Sequence, residues 1–166
     1  SFQMVKHGFQ KVFGTDTNPN AIVGLKEYMG DTKLSRKVEL DFGSLFGKWT
    51  TPSELIVFNP PWLPAAHNLD KNDEAIYYND TLFPDFFEAA KQRLSPDGKL
   101  LVIFSNLAQL TKATTDHPIE NELAKGGRFQ LEQCLKRAVK KASDKTKRDQ
   151  HWRASEEVEL WVLKHL

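Results

Sequence analysis

The tetrapeptide Asn59-Pro60-Pro61-Trp62 contains the residue types in this chain that are best suited to chemistry. It follows directly after residues 54–58, an apolar run that reads as a buried strand. Two successive prolines fix φ and restrict the preceding asparagine to an extended conformation, so the backbone is stiff at this point. The side-chain carbonyl of Asn59 and the backbone carbonyl of Pro60 can accept hydrogen bonds from one group, while Trp62 offers a flat face for stacking. We therefore expect these residues to hold a planar NH2 group, with a simple turn at the end of a strand as the alternative.

The elements that would position this tetrapeptide follow from alternating strand and helix patterns. Strand patterns lie at residues 11–16, 37–43, 54–58 and 99–105, and helical patterns lie at 18–30, 79–98 and 118–125. Strands that alternate with helices predict a doubly wound α/β sheet whose strands are mostly parallel. Two more strand patterns, at 129–139 and 158–166, predict an antiparallel hairpin that finishes the sheet. We expect residues 1–166 to form a single domain.

The helix predicted at residues 18–30 has clear start and stop signals. Asn18 is a typical N-cap, Pro19 suits the first helical position, and Gly30 suits the C-terminal end. Apolar residues recur at intervals of three and four, and they predict one buried face formed by Ala21, Ile22, Leu25, Tyr28 and Met29.

Composition and charge narrow the class of protein. The net charge is +1 and 40% of the residues are hydrophobic, so the chain can bury a core and has no global preference for nucleic acid or acidic membranes. Cys134 is the single cysteine and the five histidines lack the spacing of metal ligands, so we expect neither a disulfide nor a metal site. The sequence has no run of about 18 apolar residues that could span a bilayer, and no secretory signal. We expect a cytoplasmic protein without membrane attachment.

Ligands of doubly wound sheets bind beyond the carboxyl ends of the strands. Polar residues collect at those positions: Asp16, Thr17 and Asn18 after the first strand, Ser44 and Leu45 after the second, Asn59 after the third, and Ser105 and Asn106 after the fourth. Taken alone, Asp16 is explained equally well as a residue that ends a strand or caps a helix, and Asn18 is better explained as the helix cap alone. Asn106 is a further candidate for contact with a substrate.

At these residues the sequence resembles class I methyltransferases that depend on S-adenosylmethionine and carry an Asn/Asp-Pro-Pro-aromatic motif. That group includes glutamine methyltransferases of release factors and ribosomal proteins, adenine-N6 methyltransferases of DNA and RNA, and guanine-N2 methyltransferases of ribosomal RNA. The matching stretches are FGTDTNPNAI, VELDFGSLFG, ELIVFNPPW, LFPDFFEAAKQRLSPDGKLLVIFS and VELWVL, in the family's order. The resemblance implies a Rossmann-like methyltransferase fold and S-adenosylmethionine as the cofactor.

The resemblance also implies roles for individual residues in cofactor binding. The implied cofactor-binding set is Asp16, Thr17, Asn18, Ser44, Leu45 and Asn59. Within it, Asp16 would bind the ribose hydroxyls and Thr17 would lie near the adenine. The position near the adenine that is usually acidic or otherwise polar in the family falls on Ser44, whose hydroxyl accepts more weakly than a carboxylate. Asp41 is the alternative for that position.

For the reaction, the resemblance implies direct transfer of a methyl group to a substrate nitrogen without a covalent enzyme intermediate. Asn59 and Pro60 would hold the NH2 group and stabilise its developing positive charge, Pro61 would keep the backbone rigid, and Trp62 would stack on the planar group. Glutamine, adenine, guanine and small-molecule amines all present such a group. The substrate therefore stays open between protein and RNA, with the ribosome as a candidate partner.

The family's first strand and glycine-rich loop, which hold the methionine end of the cofactor, have no counterpart in residues 1–10. We therefore expect the chain to begin inside the domain and to bind the cofactor weakly without the loop's backbone donors. We also expect exposed sheet edges that could pair two copies as a homodimer. Two alternatives stay open: a catalytically inactive interaction module of this fold, and an NAD(P)-dependent oxidoreductase, which leaves the tetrapeptide unexplained.

Residues 136–153 form a strongly basic stretch, with eight lysines or arginines against two aspartates. A solvated loop is the ordinary explanation for such a run of charge. Contact with phosphates of RNA or the ribosome, with Trp152 as a stacking residue, is the functional alternative.

Overall fold

The computed structural model describes residues 2–30, 32–65, 76–139 and 155–166. The chain forms two compact units, residues 1–51 and residues 52–166. Both units combine helices with parallel strands, so the mixed α/β class predicted from the sequence is confirmed.

The first unit contains two helices and a two-stranded parallel sheet. Its elements are α1 (Phe2–Lys6), β1 (Val12–Asp16), α2 (Pro19–Met29) and β2 (Val38–Phe42). The two strands pair in register, with Val12 opposite Val38 and Asp16 opposite Phe42. The core consists of Val12, Met29 and Val38, with Met4, Val5, Phe9 and Leu40 packed against it. The carboxyl ends of both strands therefore lie side by side.

Helix α2 begins as predicted but buries a narrower face. Asn18 is the N-cap, and its side chain accepts a hydrogen bond from the backbone N–H of Asn20 at 3.0 Å. Ile22 and Met29 are buried, whereas Tyr28 is 74% exposed, so the prediction that Tyr28 belongs to the buried face was wrong. Each residue turns the helix by about 100°, which places Tyr28 about 100° away from Met29 and outside the contact with the sheet.

The second unit is built on a four-stranded sheet with the strand order β3-β6-β8-β7. Its strands are β3 (Ser53–Phe58), β4 (Leu63–Pro64), β5 (Tyr77–Tyr78), β6 (Leu94–Ser105), β7 (Phe129–Ala138) and β8 (Glu157–His165), and its helices are α3 (Leu82–Arg93), α4 (Leu107–Leu110) and α5 (Pro118–Lys125). Strands β3 and β6 are parallel, whereas β8 is antiparallel to both β6 and β7, which confirms the predicted C-terminal pairing. Strands β4 and β5 form a separate two-stranded ribbon.

The helix predicted within residues 79–98 ends earlier than expected. Helix α3 ends at Arg93, and Leu94 already has an extended backbone with φ −80° and ψ 132°. Leu94 pairs with Ser53 as the first residue of β6, so it does not belong to the apolar face of the helix. The proline at position 96 is consistent with an end before Gly98, because it disfavours helical backbone at Ser95 and cannot continue the helix.

The two faces of the four-stranded sheet differ in burial, because alternate side chains of a strand point to opposite faces. On one face, Phe58 stacks on Phe86 of α3 with ring centroids 3.7 Å apart, and Phe104 meets Phe83 edge to face at 5.5 Å. The central-strand residues of this face are all buried, namely Leu100, Val102, Phe104, Trp161 and Leu163. Their neighbours on the other face are only partly buried, namely Leu101, Ile103, Leu160 and Val162.

Candidate functional site

The predicted tetrapeptide 59–62 lies at the carboxyl end of the parallel pair β3–β6, directly after Phe58. A pocket of about 260 Å³ is present there, lined by Asn59, Pro60, Pro61, Trp62, Leu63, Ile76 and Leu107. Asn59 is exposed, Pro60 is buried and Trp62 is partly buried. The structure thus brings the four residues of the predicted acceptor site to one cavity, at the sheet edge where ligands of α/β folds bind.

Three separate segments of the second unit converge to form the walls of this pocket. Phe58 fixes the end of β3 by stacking on Phe86 of α3. The chain then passes through the two prolines into β4, where the N–H of Leu63 donates to the carbonyl of Ile76 at 3.3 Å. This bond brings Ile76 beside the tetrapeptide, and Leu107 enters from α4 immediately after β6. The proline-stiffened corner becomes a cavity because the ribbon β4–β5 and α4 close around it.

The side chains that line the pocket are apolar except for the amide of Asn59 and the indole of Trp62. The indole nitrogen of Trp62 is buried and has no hydrogen-bond partner among the residues that the structure describes. None of the seven lining residues in the described part of the chain is titratable. Such a pocket can bind a flat polar ring through an amide, backbone carbonyls and the face of an indole, but it offers no side chain that could take up a proton.

The predicted cofactor residues Asp16, Thr17 and Asn18 lie in the turn from β1 to α2. The Oδ1 atom of Asp16 accepts a hydrogen bond from the N–H of Asn18 at 2.8 Å, and the Asp16 backbone carbonyl accepts from Gly43 at 3.1 Å. All three residues are exposed. Asp16 and Asn18 therefore do serve the strand end and the helix cap, and the Asp16 carboxylate is at the same time accessible at the end of β1.

Asp41 lies near the end of β2 and Ser44 lies in the turn that follows, and the surroundings of the two side chains differ. The Oδ2 atom of Asp41 accepts a hydrogen bond from the N–H of Lys48 at 3.1 Å, so this carboxylate is committed to the turn. Ser44 is exposed. Leu45 has a positive φ of 51°, and its carbonyl accepts a hydrogen bond from the hydroxyl of Thr15. That bond ties the turn to β1 and holds Leu45 in a conformation that L side chains rarely adopt.

The structure therefore gathers the predicted residues in two groups. Asp16, Thr17, Asn18, Ser44 and Leu45 follow the paired strands of the first unit, and Asn59 to Trp62 line the pocket of the second unit. Sequence patterns found both groups because each sits directly after a strand. They also pointed to the segment after β6 that contains Leu107, but they did not indicate Ile76, which reaches the pocket only through the pairing of β4 with β5.

A buried charged cluster in the second unit was not expected from the sequence. Glu159 is 2% exposed, and its carboxylate accepts from Nε2 of His117 at 3.0 Å, from Nε1 of Trp161 at 2.8 Å and from Nζ of Lys136 at 2.7 Å. Burial by itself raises the pKa of Glu159, but these hydrogen bonds outweigh it and lower the pKa to about 2. Nδ1 of His117 also caps α5 by accepting from the N–H of Glu120 at 3.3 Å. The cluster ties α5, β7 and β8 together.

Asn106, considered above for contact with a substrate, makes hydrogen bonds within the chain. Its side chain donates to the carbonyl of Ser155 at 3.1 Å and accepts from the N–H of Glu157 at 2.9 Å. These bonds join the end of β6 to the start of β8. Of the basic stretch 136–153, residues 140–153 lie outside the described residues, and Lys136 is the partner of Glu159.

Two general features concern metals and membranes. Within residues 2–30, 32–65, 76–139 and 155–166, no group of three or more His, Cys, Asp or Glu side chains could hold a metal ion. In the same part of the chain, no helix has the length and apolar character needed to cross a membrane.

The chain matches a family of methyltransferases over most of its length. Residues 15–141 fit the BMT5-like family, described as rRNA (uridine-N3-)-methyltransferase BTM5-like. Because this match covers well over half of the sequence, the chain belongs to that family. No curated protein matches the chain in sequence.

Solved structures resemble the chain in fold at low sequence identity. The PH0226 protein from Pyrococcus horikoshii OT3 is 14% identical, with a TM-score of 0.64 over 99% of this chain and 76% of its own. The ribosomal protein L11 methylase from Lactobacillus delbrueckii subsp. bulgaricus is 18% identical with a TM-score of 0.56; 97% of this chain is covered and spans 61% of that methylase. SMU.1697c from Streptococcus mutans, solved in complex with S-adenosylhomocysteine, is 14% identical with a TM-score of 0.55 over 98% of this chain and 81% of its own.

The family and the fold agree with the resemblance drawn from the sequence. They confirm a Rossmann-like methyltransferase fold, and they confirm S-adenosylmethionine as the cofactor. Membership of a methyltransferase family also favours methyl transfer over the hydride transfer of an NAD(P)-dependent oxidoreductase.

Proposed function

We propose that the protein methylates a planar nitrogen of an RNA base and that ribosomal RNA is the substrate. The observation that carries the proposal is the pocket at Asn59–Trp62, which offers an amide, backbone carbonyls and an indole at the carboxyl end of a parallel strand pair. The family description supports RNA as the substrate and names uridine N3 as the acceptor in that family. Uridine N3 is therefore the first candidate.

In the uridine reaction, Asn59 positions the base without covering the reacting nitrogen. N3 lies between two ring carbonyls, and the NH2 of Asn59 can donate to one of them and leave N3 uncovered. Bound S-adenosylmethionine would supply the electrophilic methyl group and leave as S-adenosylhomocysteine. The N3 lone pair becomes available only when the N3 proton leaves, and because none of the described lining residues is titratable, we expect hydroxide from solvent to remove it.

A planar NH2 group is the second candidate acceptor, and two features favour it. The sequence motif resembles that of glutamine, adenine-N6 and guanine-N2 methyltransferases, and the pocket presents the carbonyls of Asn59 and Pro60. Both N–H bonds of the amine would donate to these oxygens, which also stabilise the positive charge that develops on nitrogen. Pro61 keeps the corner rigid, and Trp62 stacks on the planar group.

For the cofactor, we propose that residues of the first unit hold the adenosine. The exposed carboxylate of Asp16 fits the two ribose hydroxyls, and the exposed hydroxyl of Ser44 fits the adenine amine. Thr17, Asn18 and Leu45 flank these two positions in the same turns. Asp41 stays the alternative to Ser44; one of its carboxylate oxygens accepts the Lys48 N–H. Asn59 also belongs to the cofactor-binding set that the sequence resemblance implies, and that role stays a prediction.

The direct test is methyl transfer by the full-length protein from labelled S-adenosylmethionine into ribosomal RNA. The labelled RNA would be digested to nucleosides and the methylated nucleoside identified by mass spectrometry. We expect N3-methyluridine under the first candidate and a base methylated at its exocyclic nitrogen under the second. Label that appears in protein as methylglutamine, or in neither fraction, would overturn RNA methylation.

The dependence of the rate on pH separates the two nitrogen acceptors. Uridine N3 is a weak acid whose proton must leave, so without a protein base the rate should rise about tenfold for each pH unit between pH 6 and pH 8. An exocyclic NH2 group carries no such requirement, and its methylation should change little over that range. A flat profile together with N3-methyluridine as the product would show that a protein group takes the proton.

A further inference from the structure

The turn after β2, residues 43–49, carries Ser44 and Leu45, which belong to the proposed adenosine site. Leu45 has a φ of 51°, and this left-handed backbone conformation is unfavourable for a residue with a Cβ atom. Residues persist in such conformations only where the surrounding structure holds them, and they occur preferentially at sites that clamp a ligand. The contacts that hold Leu45 therefore decide where the turn lies.

Thr15 of β1 contacts this turn with both branches of its side chain. Its hydroxyl donates to the backbone carbonyl of Leu45 in a partly buried position. Its methyl carbon Cγ2 lies 3.3 Å from the point where a Cβ atom on Gly47 would be. Thr15 is paired with Asp41 of β2 and directly precedes Asp16. The Thr15 side chain thus joins the end of β1, where the ribose is proposed to bind, to the turn that is proposed to bind the adenine.

Two further hydrogen bonds fix the ends of the turn. At its start, the N–H of Gly43 donates to the backbone carbonyl of Asp16 at 3.1 Å. At its end, the N–H of Lys48 donates to Oδ2 of Asp41 at 3.1 Å. Neither bond reaches the middle of the turn, where the Thr15 hydroxyl binds. The position of the middle of the turn relative to the end of β1 therefore depends on this hydroxyl.

We propose that Thr15 is a positioning residue for the cofactor, whose hydroxyl holds Ser44 and Leu45 at the distance from Asp16 that an adenosine requires. The inference rests on the adenosine site of the proposed function and deepens it. A ligand that contacts two separate segments binds more tightly when both already have their final positions, because less freedom is lost on binding. Loss of the hydroxyl should therefore weaken cofactor binding, although Thr15 itself does not have to contact the cofactor.

The first test removes the hydroxyl and keeps the shape of the side chain. Thr15→Val retains a branched residue that suits a strand. With the full-length protein, we expect the Kd of S-adenosylhomocysteine, measured by calorimetry, to rise about 5- to 20-fold through loss of one hydrogen bond. The KM for S-adenosylmethionine should rise by a similar factor, with kcat within about twofold of wild type. Thr15→Ser keeps the hydroxyl and should bind nearly as tightly as wild type. An unchanged Kd in Thr15→Val would overturn the inference.

Thr32→Val is the matched control within the same unit. Thr32 is an exposed threonine that precedes β2, and its hydroxyl oxygen accepts the N–H of Leu34 at 3.2 Å. This change also removes one hydroxyl hydrogen bond, but it does so before the amino end of β2, and we expect it to leave the Kd unchanged. A weakening in Thr32→Val as large as that in Thr15→Val would show a general loss of stability and would overturn the inference. So would a lower unfolding temperature in Thr15→Val with the Kd of wild type, which is what a purely structural hydroxyl predicts.

Altered ligands show which part of the cofactor the hydroxyl serves. 5′-Methylthioadenosine contains the adenosine but lacks the amino acid end, so Thr15→Val should weaken its binding by the same factor as that of S-adenosylhomocysteine. S-inosylhomocysteine has a carbonyl in place of the adenine amine that Ser44 is proposed to contact, so the effect of Thr15→Val on its binding should be smaller. An undiminished effect on S-inosylhomocysteine, or none on 5′-methylthioadenosine, would overturn the inference.

The outcomes distinguish the two levels of the proposal. If Asp16→Asn in the full-length protein binds S-adenosylhomocysteine as tightly as wild type, the proposed adenosine site is wrong and the inference falls with it. Binding that is weakened by Asp16→Asn but not by Thr15→Val removes the inference alone. Binding that is weakened by both changes and recovered in Thr15→Ser supports both levels.

Discussion

The indole N–H groups of Trp62 and Trp161 are both buried in the second unit, but their surroundings differ. The N–H of Trp161 donates to Glu159 at 2.8 Å, and the same carboxylate also accepts from His117 and Lys136. The N–H of Trp62 has no partner among the described residues, and its ring lines a pocket. A buried polar group whose bonds are satisfied within the chain holds the fold together, whereas the exposed amide of Asn59 beside Trp62 is available to a ligand.

The largest effect on stability should come from Glu159→Ala. This change leaves the donors of His117 and Trp161 buried without an acceptor, and we expect the free energy of unfolding to fall by about 3–5 kcal/mol. Chemical denaturation would measure it. Glu157→Ala is the matched control, since Glu157 is only partly buried on the same strand, and it should cost less than about 1 kcal/mol. Equal losses in the two variants would show that the Glu159 cluster does not stabilise the fold.

At the pocket, removal of a polar side chain should lower the catalytic rate and leave the stability of the fold unchanged. Asn59 is exposed, so Asn59→Ala should leave the unfolding transition in place and lower kcat by roughly 10²-fold or more through loss of one positioned polar group. Gln92→Ala is the control, because it removes an exposed side-chain amide on α3. A native rate in Asn59→Ala would contradict the assignment of the pocket as the acceptor site.

Acidification should weaken the cluster in a defined range of pH. The pKa of Glu159 is lowered from 4.5 to about 2, so its ionised form stabilises the fold above pH 4.5 and this contribution is lost as the pH falls towards 2. The difference in unfolding free energy between wild type and Glu159→Gln should therefore be greatest near neutral pH and should shrink between pH 4.5 and pH 2. A difference that stays constant over this range would mean that the carboxylate charge is not what stabilises the cluster.

The smallest effect should come from the exposed side of the same cluster. The side chain of Lys136 is 50% exposed, so water can replace its bond to Glu159. We expect Lys136→Met to lower the unfolding free energy by less than about 1 kcal/mol. Arg137→Met, on the next residue of β7, provides the baseline. A loss in Lys136→Met as large as that of Glu159→Ala would place the energy of the cluster in its ion pair instead of its buried hydrogen bonds.

Much of the fold could be predicted because its signals are local in sequence. The strands, the C-terminal pairing and the cap of α2 at Asn18 each depend on a run of neighbouring residues. The tetrapeptide after β3 was identified for the same reason, since two prolines act on the backbone wherever they occur. Tyr28 was misplaced because hydrophobic spacing indicates which residues share a face, but the width of the buried face depends on what packs against it.

The features that sequence patterns missed depend on contacts between distant residues. His117 and Glu159 are 42 positions apart, and the polar pattern of β8 does not reveal that Glu159 points into the core. The pocket wall at Ile76 depends in the same way on how the ribbon β4–β5 meets the end of β3. The hydrogen bonds of Asp41 to Lys48 and of Asn106 to Ser155 and Glu157 are likewise not readable from the sequence.

The turn after β2 has a consequence for how this region can change during evolution. Gly47 has a φ of 50°, and a Cβ atom placed there would lie 2.7 Å from Oδ2 of Asp41, the atom that accepts the Lys48 N–H. Any side chain at position 47 must therefore displace the carboxylate from its bond. Substitutions at these two sites should therefore show epistasis. Gly47→Ala should destabilise the protein less after Asp41→Gly than before it, so the order of the two replacements should matter.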